Sequence, residues 1–344
     1  MKSSKYGIHR VIEPKGTLPQ AALKISNDMN ITSNEILIKV QALNIDSASF
    51  SQIEKAAHGD LEIIKTTIMD IVNKSGKMQN PVTGSGGMLI GTIEEIGSDL
   101  IGRSELKVGD KIATLVSLSL TPLKIEKINA IYKDIDRVEI EGKAILFESG
   151  KCIKLPSDLS ENLALAVLDV AGAPAQVSKL VTEGDNVLIL GAFGKSGILC
   201  SYEAKKRAGK TGKVVGLVAF EKDKEDLIKT GFCDEVILAD ATNSIKVLDS
   251  ALFASGGKEY DIAINCVNVT NTEMSTILPV RDEGIAYFFS MATSFTRAAL
   301  GAEGVSKDIK LYIGNGYTKG HAQIALNELR ESSKLRKIFE TRYA

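Results

Sequence analysis

Along residues 34–43, Ile36, Ile38 and Val40 alternate with Leu37, Lys39 and Gln41, a period of two that predicts a β-strand. Further strand-like runs are expected at 88–96, 111–116, 137–140 and 144–147, punctuated by Gly84, Gly86, Gly87, Gly97, Gly109 and Gly142. One helical stretch interrupts them. Over 51–74, Ile53, Ala56, Ala57, Leu61, Ile64, Ile68 and Ile71 recur mostly three or four residues apart. This first part reads as an irregular antiparallel barrel with one added helix. After residue 157 the texture changes, because helical segments of about 15 residues alternate with short apolar runs. Strands are expected at 186–190, 213–220, 235–238, 260–265 and 284–290, with helices at 197–208, 223–230 and 244–254. Their richness in Val, Ile and Leu fits a parallel sheet buried on both faces. A last strand at 309–313 precedes an amphipathic helix at 319–340.

The fold class expected is therefore α/β: a β-rich domain over 1–157, a doubly wound parallel-sheet domain over 158–314, and a terminal segment, 315–344, that returns to the first domain. A length of 344 residues agrees, at about 150 residues per domain.

Charge narrows the function. Lys plus Arg number 42 against 43 for Asp plus Glu, a net charge of −1, so no field invites nucleic acid or an anionic membrane. Trp is absent and aromatics make up 5%, which leaves little for base stacking. No run reaches the roughly 18 apolar residues of a membrane span, and the first residues lack a signal-peptide core. Four scattered cysteines, Cys152, Cys200, Cys233 and Cys266, make no disulfide framework. A cytoplasmic setting is expected.

The chemical signal is the run Gly191-Ala192-Phe193-Gly194-Lys195-Ser196-Gly197, which carries a buried strand through G-x-x-G-x-x-G spacing into a helix. Such a turn brings backbone N–H groups and a helix N-terminus to a pyrophosphate. Phe193 stands where the usual motif has its middle glycine. Gly191 lies four places before Lys195 rather than five, so this is not a Walker loop. At the end of the second strand Val218 and Ala219 replace the usual ribose-binding acid, and the first acid is Glu221. Glu221 favours NAD; Lys222 and Lys224 suit the 2′-phosphate of NADP. Asn265, Val267, Asn268 and Ser290 end later strands and are candidates to line the nicotinamide.

With the row Leu106-Lys107-Val108-Gly109-Asp110-Lys111-Ile112 and that turn, the chain resembles the medium-chain dehydrogenase/reductase superfamily over nearly its whole length. The resemblance implies a GroES-like catalytic domain, a Rossmann domain, a C-terminal return to the catalytic domain and a homo-oligomer, dimer or tetramer. Where zinc-dependent members carry Cys and a His-Glu pair, this chain has Asp46 and Gly87-Met88. With three histidines in all, at positions 9, 58 and 321, and no Cys-x-x-Cys, no zinc site assembles at ordinary spacing. The zinc-independent branch is expected. Within it, KYGIHRVIEPKGTLPQ, EILIKVQALNIDSASFSQI, GGMLIGTIEEIG and GNGYTKGHAQIALNELRES resemble the L-erythro-3,5-diaminohexanoate dehydrogenase family of anaerobic lysine fermentation. That resemblance implies NAD(P)-dependent oxidative deamination of a small diamino acid to 5-amino-3-oxohexanoate and ammonia.

Amine oxidation suits a metal-free pocket, since the lone pair of a neutral amine expels hydride from its own carbon. A carboxylate base must first take a proton from the ammonium, typically worth ~10²- to 10⁴-fold. Asp46, directly after a strand, is the first candidate; as a loop-capping Asp it would look the same. Asp169 is the second, in the apolar stretch 163–175, with a turn acid as its alternative. Glu94 and Glu95 read as solvated charges. Ser47 and Ser49 could hold substrate hydrogen bonds. Thr293, Ser294 and Arg297, beyond the strand ending at Ser290, are candidates for the substrate carboxylate. His321 reads as a packed or surface histidine. Two other functions remain open: a zinc-independent quinone or enone reductase, and a non-catalytic nucleotide-binding protein of the same fold.

Overall fold

The computed structural model describes residues 3–314 and 316–344, in two compact units, Met1–Leu165 and Ala166–Ala344. In the first, β1 (Val11–Glu13) and β2 (Lys24–Ile25) form an antiparallel pair. There follow β3 (Glu35–Asn44), α1 (Ser47–Ala56), α2 (Leu61–Ser75), β4 (Met88–Ile96), β5 (Lys111–Thr114), β6 (Leu123–Tyr132), β7 (Arg137–Phe147) and β8 (Cys152–Lys154). The six longer-range strands pair antiparallel in the order β6-β7-β3-β4-β5-β8. Ile38, Val40 and Leu43 of β3 and Leu89 and Ile93 of β4 share one core with Ile64, Ile68 and Val72 of α2.

Three details differ from the sequence expectation. The single helix over 51–74 is two, because His58 and Gly59 take positive φ and Asp60 recaps the chain, accepting from Glu62 N at 2.8 Å and Ile63 N at 3.2 Å. The runs at 137–140 and 144–147 are one strand, β7. β6 was not expected: its register shifts between Ile125 and Lys127 and between Ile128 and Ala130, so Leu123, Ile125, Ile128 and Ile131 lose the alternation a strand normally shows.

In the second unit α3 (Glu161–Leu168), which spans the boundary between the units, and α4 (Gly172–Leu180) lead into β9 (Asn186–Leu190), α5 (Lys195–Ala208), β10 (Lys213–Val218), α6 (Glu221–Thr230), β11 (Glu235–Leu238), α7 (Ser244–Ala254), β12 (Tyr260–Asn265), α8 (Glu273–Ile277), β13 (Val280–Phe288), α9 (Phe295–Gly304) and β14 (Lys310–Ile313). The strands lie parallel in the order β11-β10-β9-β12-β13-β14. Numbered from β9 this is 3-2-1-4-5-6, the Rossmann order, whose switch point between β9 and β12 is where dinucleotides bind. Val187 to Leu190 and Ile262 to Ile264 are buried, as a sheet covered on both faces requires.

The terminal segment departs from expectation. Its start at residue 315 lies outside the described residues. The helix expected at 319–340 is broken into α10 (His321–Glu331) and α11 (Ser333–Arg342) by Ser332, which caps α11 by accepting from Leu335 N at 3.2 Å. Both pack on elements of the second unit, α10 on α4 and α5 and α11 on α5. Leu326, Leu329, Leu335 and Phe339 are the buried side chains behind that packing. Among the described residues no single helix is long and apolar enough to cross a membrane.

Candidate active site

The glycine turn is pinned to the neighbouring strand: Gly191 N and Ala192 N both donate to Leu217 O, at 2.9 and 3.0 Å. Gly191 has a φ of +75°, and a Cβ on Gly197 would stand 1.9 Å from Gly191 O. The first glycine thus permits the turn, and the third lets α5 close onto the strand. Gly194 begins α5 without a side-chain cap, so the first N–H groups of the helix are left for a ligand. They open onto a cleft of about 480 Å³ lined by Gly191, Phe193, Gly194, Lys195 and Ser196, by Val267 and Asn268 beyond β12, and by Leu217 to Phe220. A pyrophosphate fits this backbone cradle, whose turn a Cβ at Gly197 would force apart.

Other expected coenzyme residues stand elsewhere. Ala192 is wholly buried beneath the turn. Asn265 is also buried, its Nδ2 donating to Thr272 Oγ1 and Thr276 Oγ1, both at 2.9 Å, and its Oδ1 accepting from Val267 N at 3.0 Å. It shapes the loop that carries Val267 and does not line the cleft. Ser290 Oγ accepts from Ala292 N at 3.1 Å. Glu221 is not among the residues lining the cleft; it is 61% exposed and 3.9 Å from Lys224. Two acids line it that the sequence reading missed, Asp240 and, two residues beyond Glu221, Asp223. Arg342 meets it at 3.7 Å, stacks 4.7 Å from the Phe193 ring centroid and donates to Phe193 O at 3.2 Å. Asp223 had a signal, being acidic in the first turn of α6; Arg342, 149 residues from Phe193, had none.

Two separately nominated residues meet at the edge of the cleft. Lys195 Nζ lies 2.7 Å from Asp169 Oδ2, each side chain 29% exposed. Asp169 is therefore an ion-paired carboxylate, not the isolated buried acid its apolar surroundings suggested. Beyond β13, Ser294 caps α9, its Oγ accepting from Arg297 N at 3.3 Å while its own N donates to Glu273 Oε1 at 2.7 Å. Arg297 bonds Asn271 Oδ1 and stands 3.7 Å from the buried Glu273 Oε2. The guanidinium expected to clamp a substrate carboxylate is thus engaged by the protein's own groups. Thr293 Oγ1 is buried without a hydrogen-bond partner among the described residues. Cys266 lines the cleft, with its Sγ 3.8 Å from Cys200 Sγ; burial, then the Cys266 contact, pushes the Cys200 thiol well up.

In the first unit Asp46 caps α1, its Oδ1 accepting from Ser49 N at 3.1 Å. The capping alternative is therefore observed, but it uses only one oxygen. Oδ2 is buried and finds no hydrogen-bond partner among the described residues. Gly87 sits against the same loop: a Cβ there would lie 2.0 Å from Asn44 O and 2.8 Å from Asp46 N, and its φ is +98°. The two stretches that depart from the zinc-dependent pattern are thus neighbours, and Gly87 is needed for their approach. Ser49 Oγ shares a 2.5 Å hydrogen bond with Thr83 Oγ1, and Asn80 Nδ2 donates to Ser49 O at 3.1 Å. Ser47 Oγ donates to Asp136 Oδ2. Both serines are thus engaged locally, and Thr83 and Asn80 join the cluster without a sequence signal. His321 is buried, which pushes its imidazole down. Among the described residues no three His, Cys, Asp or Glu side chains gather as a metal centre would need.

Comparison with known proteins adds the chemistry. Residues 9–156 match the N-terminal domain of L-erythro-3,5-diaminohexanoate dehydrogenase. The chain is 69% identical over 343 residues to the L-erythro-3,5-diaminohexanoate dehydrogenase of Acetoanaerobium sticklandii, covering 100% of both chains. It is 65% identical over 342 residues to the enzyme of that name from Fusobacterium nucleatum, covering 99% of each. Among solved structures, it aligns with Escherichia coli quinone oxidoreductase complexed with NADPH at a TM-score of 0.55 and 16% identity, over 93% of this chain and 86% of that one. That likeness bears on the fold, a GroES-like domain with a Rossmann domain.

Proposed function

The chain belongs to the L-erythro-3,5-diaminohexanoate dehydrogenase family, and from that premise we propose that this dehydrogenase oxidatively deaminates L-erythro-3,5-diaminohexanoate with NAD, yielding 5-amino-3-oxohexanoate and ammonia. We place it in the zinc-independent branch of its superfamily and in the lysine fermentation of a cytoplasm, as a homo-oligomer. The observation that carries the coenzyme reading is the cleft over Gly191 and Gly197, whose backbone N–H groups suit a pyrophosphate.

A nicotinamide held there supplies the hydride acceptor. The protein's task is to make the amine an electron donor. Asp46 Oδ2, which has no hydrogen-bond partner among the described residues, takes a proton from the 3-ammonium, and the lone pair so freed drives hydride from the same carbon. Once that proton has passed on to water, the regenerated carboxylate faces the iminium as a counter-charge while water hydrolyses it to the ketone and ammonia. Asp46 keeps its position through Oδ1, tied to Ser49 N. Asp169 is given a different role: paired with Lys195, it sets that ammonium at the phosphate turn. Thr293, with an unsatisfied Oγ1, is the remaining candidate for a substrate hydrogen bond beyond β13.

The test is incubation with L-erythro-3,5-diaminohexanoate and either coenzyme, following reduced-nicotinamide absorbance and ammonia together, with and without EDTA. Equal yields that survive chelation are expected. Silence with both coenzymes, while a quinone or enone is reduced by NADPH, would move the protein to the reductase reading.

A further inference from the structure

Beneath the phosphate turn two thiols meet that neither the coenzyme cradle nor the amine chemistry uses. Cys200 stands in the second turn of α5 and is wholly buried; Cys266 directly follows β12, is half-buried and lines the cleft. Their sulfurs lie 3.8 Å apart, in van der Waals contact, and both are free thiols. Each belongs to a segment that holds the turn. On the α5 side, Ser201 Oγ donates to Ala192 O at 3.1 Å and to Gly197 O at 2.9 Å. On the other side, Cys266 N donates to Leu190 O at 3.0 Å, and a Cβ on Gly191 would lie 3.1 Å from Val267 Cγ2 and 3.3 Å from the Cys266 carbonyl carbon. The loop after β12 thus leaves no room against the first glycine, and a shift of Cys266 is felt at the cradle. The remaining cysteines are placed differently: Cys152 belongs to the first unit, and Cys233, beyond α6, is not among the residues lining the cleft.

We propose that Cys200 and Cys266 form a redox-sensitive dithiol, which hydrogen peroxide oxidises to a disulfide that closes the cleft to the coenzyme. The order of events follows from exposure. Cys266, on the cleft wall, is the sulfur a peroxide reaches: it attacks one peroxide oxygen, the O–O bond breaks, and Cys266 becomes a sulfenic acid as one water leaves. Cys200 then attacks that sulfur. The S–S bond forms, the S–OH bond breaks, and the hydroxyl leaves with the Cys200 proton as a second water. Two electrons have passed from the two thiols to the peroxide. Burial, then the Cys266 contact, pushes the Cys200 thiol well up, so it keeps its proton, resists peroxide directly and serves as the resolving partner. Bonding closes the sulfurs from 3.8 Å to about 2.05 Å. Because Ser201 pins α5 to the turn, the loop after β12 gives way, and it carries Val267 and Asn268 of the cleft wall with it. A coenzyme in the cleft covers Cys266 and holds that loop in place, so binding and oxidation oppose each other reciprocally. This coupling rests on the coenzyme reading above; the disulfide itself does not.

The test treats the reduced full chain with a stoichiometric amount of hydrogen peroxide, maps cross-links by mass spectrometry of unreduced peptides, and titrates NADH calorimetrically before and after. The peptides carrying Cys200 and Cys266 should appear joined, lighter by two hydrogens than their sum. NADH affinity should fall at least about tenfold and return on reduction with dithiothreitol. Saturating NADH during the treatment should slow formation of the link by a similar factor, about tenfold. Cys200→Ala and the nearly isosteric Cys200→Ser should bind NADH as the reduced wild type does and keep most of that affinity after peroxide. Absence of the link in a protein that binds NADH, a link that leaves NADH affinity unchanged, or an equal loss of affinity in the Cys200 variants and the wild type would each overturn the proposal. A reduced wild type that binds neither NADH nor NADPH would overturn the coenzyme reading and the coupling that rests on it, while the peptide map still decides the disulfide.

Discussion

The glycine turn of the second unit and the loop after β3 in the first build their chemistry from different materials. In the turn, backbone does the work: Gly191 and Ala192 are tied to Leu217 O, and Gly197 is packed so closely that a Cβ would lie 1.9 Å from Gly191 O. In the loop, side chains do it: Asp46 caps α1 with one oxygen and leaves the other unsatisfied, while Ser49 and Thr83 hold each other. A backbone site tolerates wide variation in side chains but not in Cβ atoms. A side-chain site keeps its shape when one functional atom is replaced, and loses only its chemistry.

Substitution at each site separates the two. Gly197→Ala should have the largest effect, abolishing coenzyme binding in a calorimetric titration and lowering unfolding free energy by about 1–3 kcal/mol, because the methyl meets backbone that cannot move without opening the turn. Asp46→Asn should lower kcat by about 10²- to 10⁴-fold with coenzyme affinity unchanged. Its thermal unfolding should scarcely move, since Asn caps a helix about as well as Asp.

The pair at the cleft edge gives smaller effects. Lys195→Met should weaken coenzyme binding by about tenfold through loss of a charge at the phosphates, and change stability by less than about 1 kcal/mol because the pair is partly exposed. Asp169→Asn should leave kcat within about tenfold of the wild type; a loss approaching that of a missing general base would return Asp169 to the role of base.

The smallest effect is a pH dependence in the first unit. Burial raises the Glu35 carboxyl, but hydrogen bonds from Arg10, from Thr32 N and from His9, with the Arg10 charge, outweigh it and hold the group below its ordinary 4.5. A lowered folded-state value means stability that is complete above about 4.5 and lost as pH falls through the folded value. Melting temperature followed from pH 7 downward should therefore fall more steeply below about 4.5 in the wild type than in Glu35→Gln.

The same contrast explains what the sequence revealed. The Rossmann strands at 186–190 and 260–265 coincide with β9 and β12, because doubly buried strands are continuous apolar runs, and the expected 235–238 coincides with the edge strand β11. The glycine spacing was legible because its constraint is local. β6 was hidden by its two register shifts, and the helix at 51–74 concealed a recap at Asp60, a residue type that also occurs within helices. Asp46 was legible as an acid after a strand. Whether it capped or catalysed was not, since that turns on which of two oxygens is satisfied. Glu221 and Asp223 differ by two residues, and only the start of α6 decides which faces the cleft. The partners of Asp169, Arg297 and Phe193 come from 26, 24 and 149 residues away, at separations no local pattern encodes.

The most direct measurement is a single turnover of L-erythro-3,5-diaminohexanoate with saturating NAD on wild type and Asp46→Asn, reading reduced nicotinamide and ammonia in the same reaction and NADH affinity in parallel. A wild type that forms the two products in equal amounts, beside a variant slowed by at least about 10² with intact NADH affinity, is the expected result. An Asp46→Asn protein that transfers hydride at the wild-type rate would contradict the assignment of the proton chemistry to the first unit.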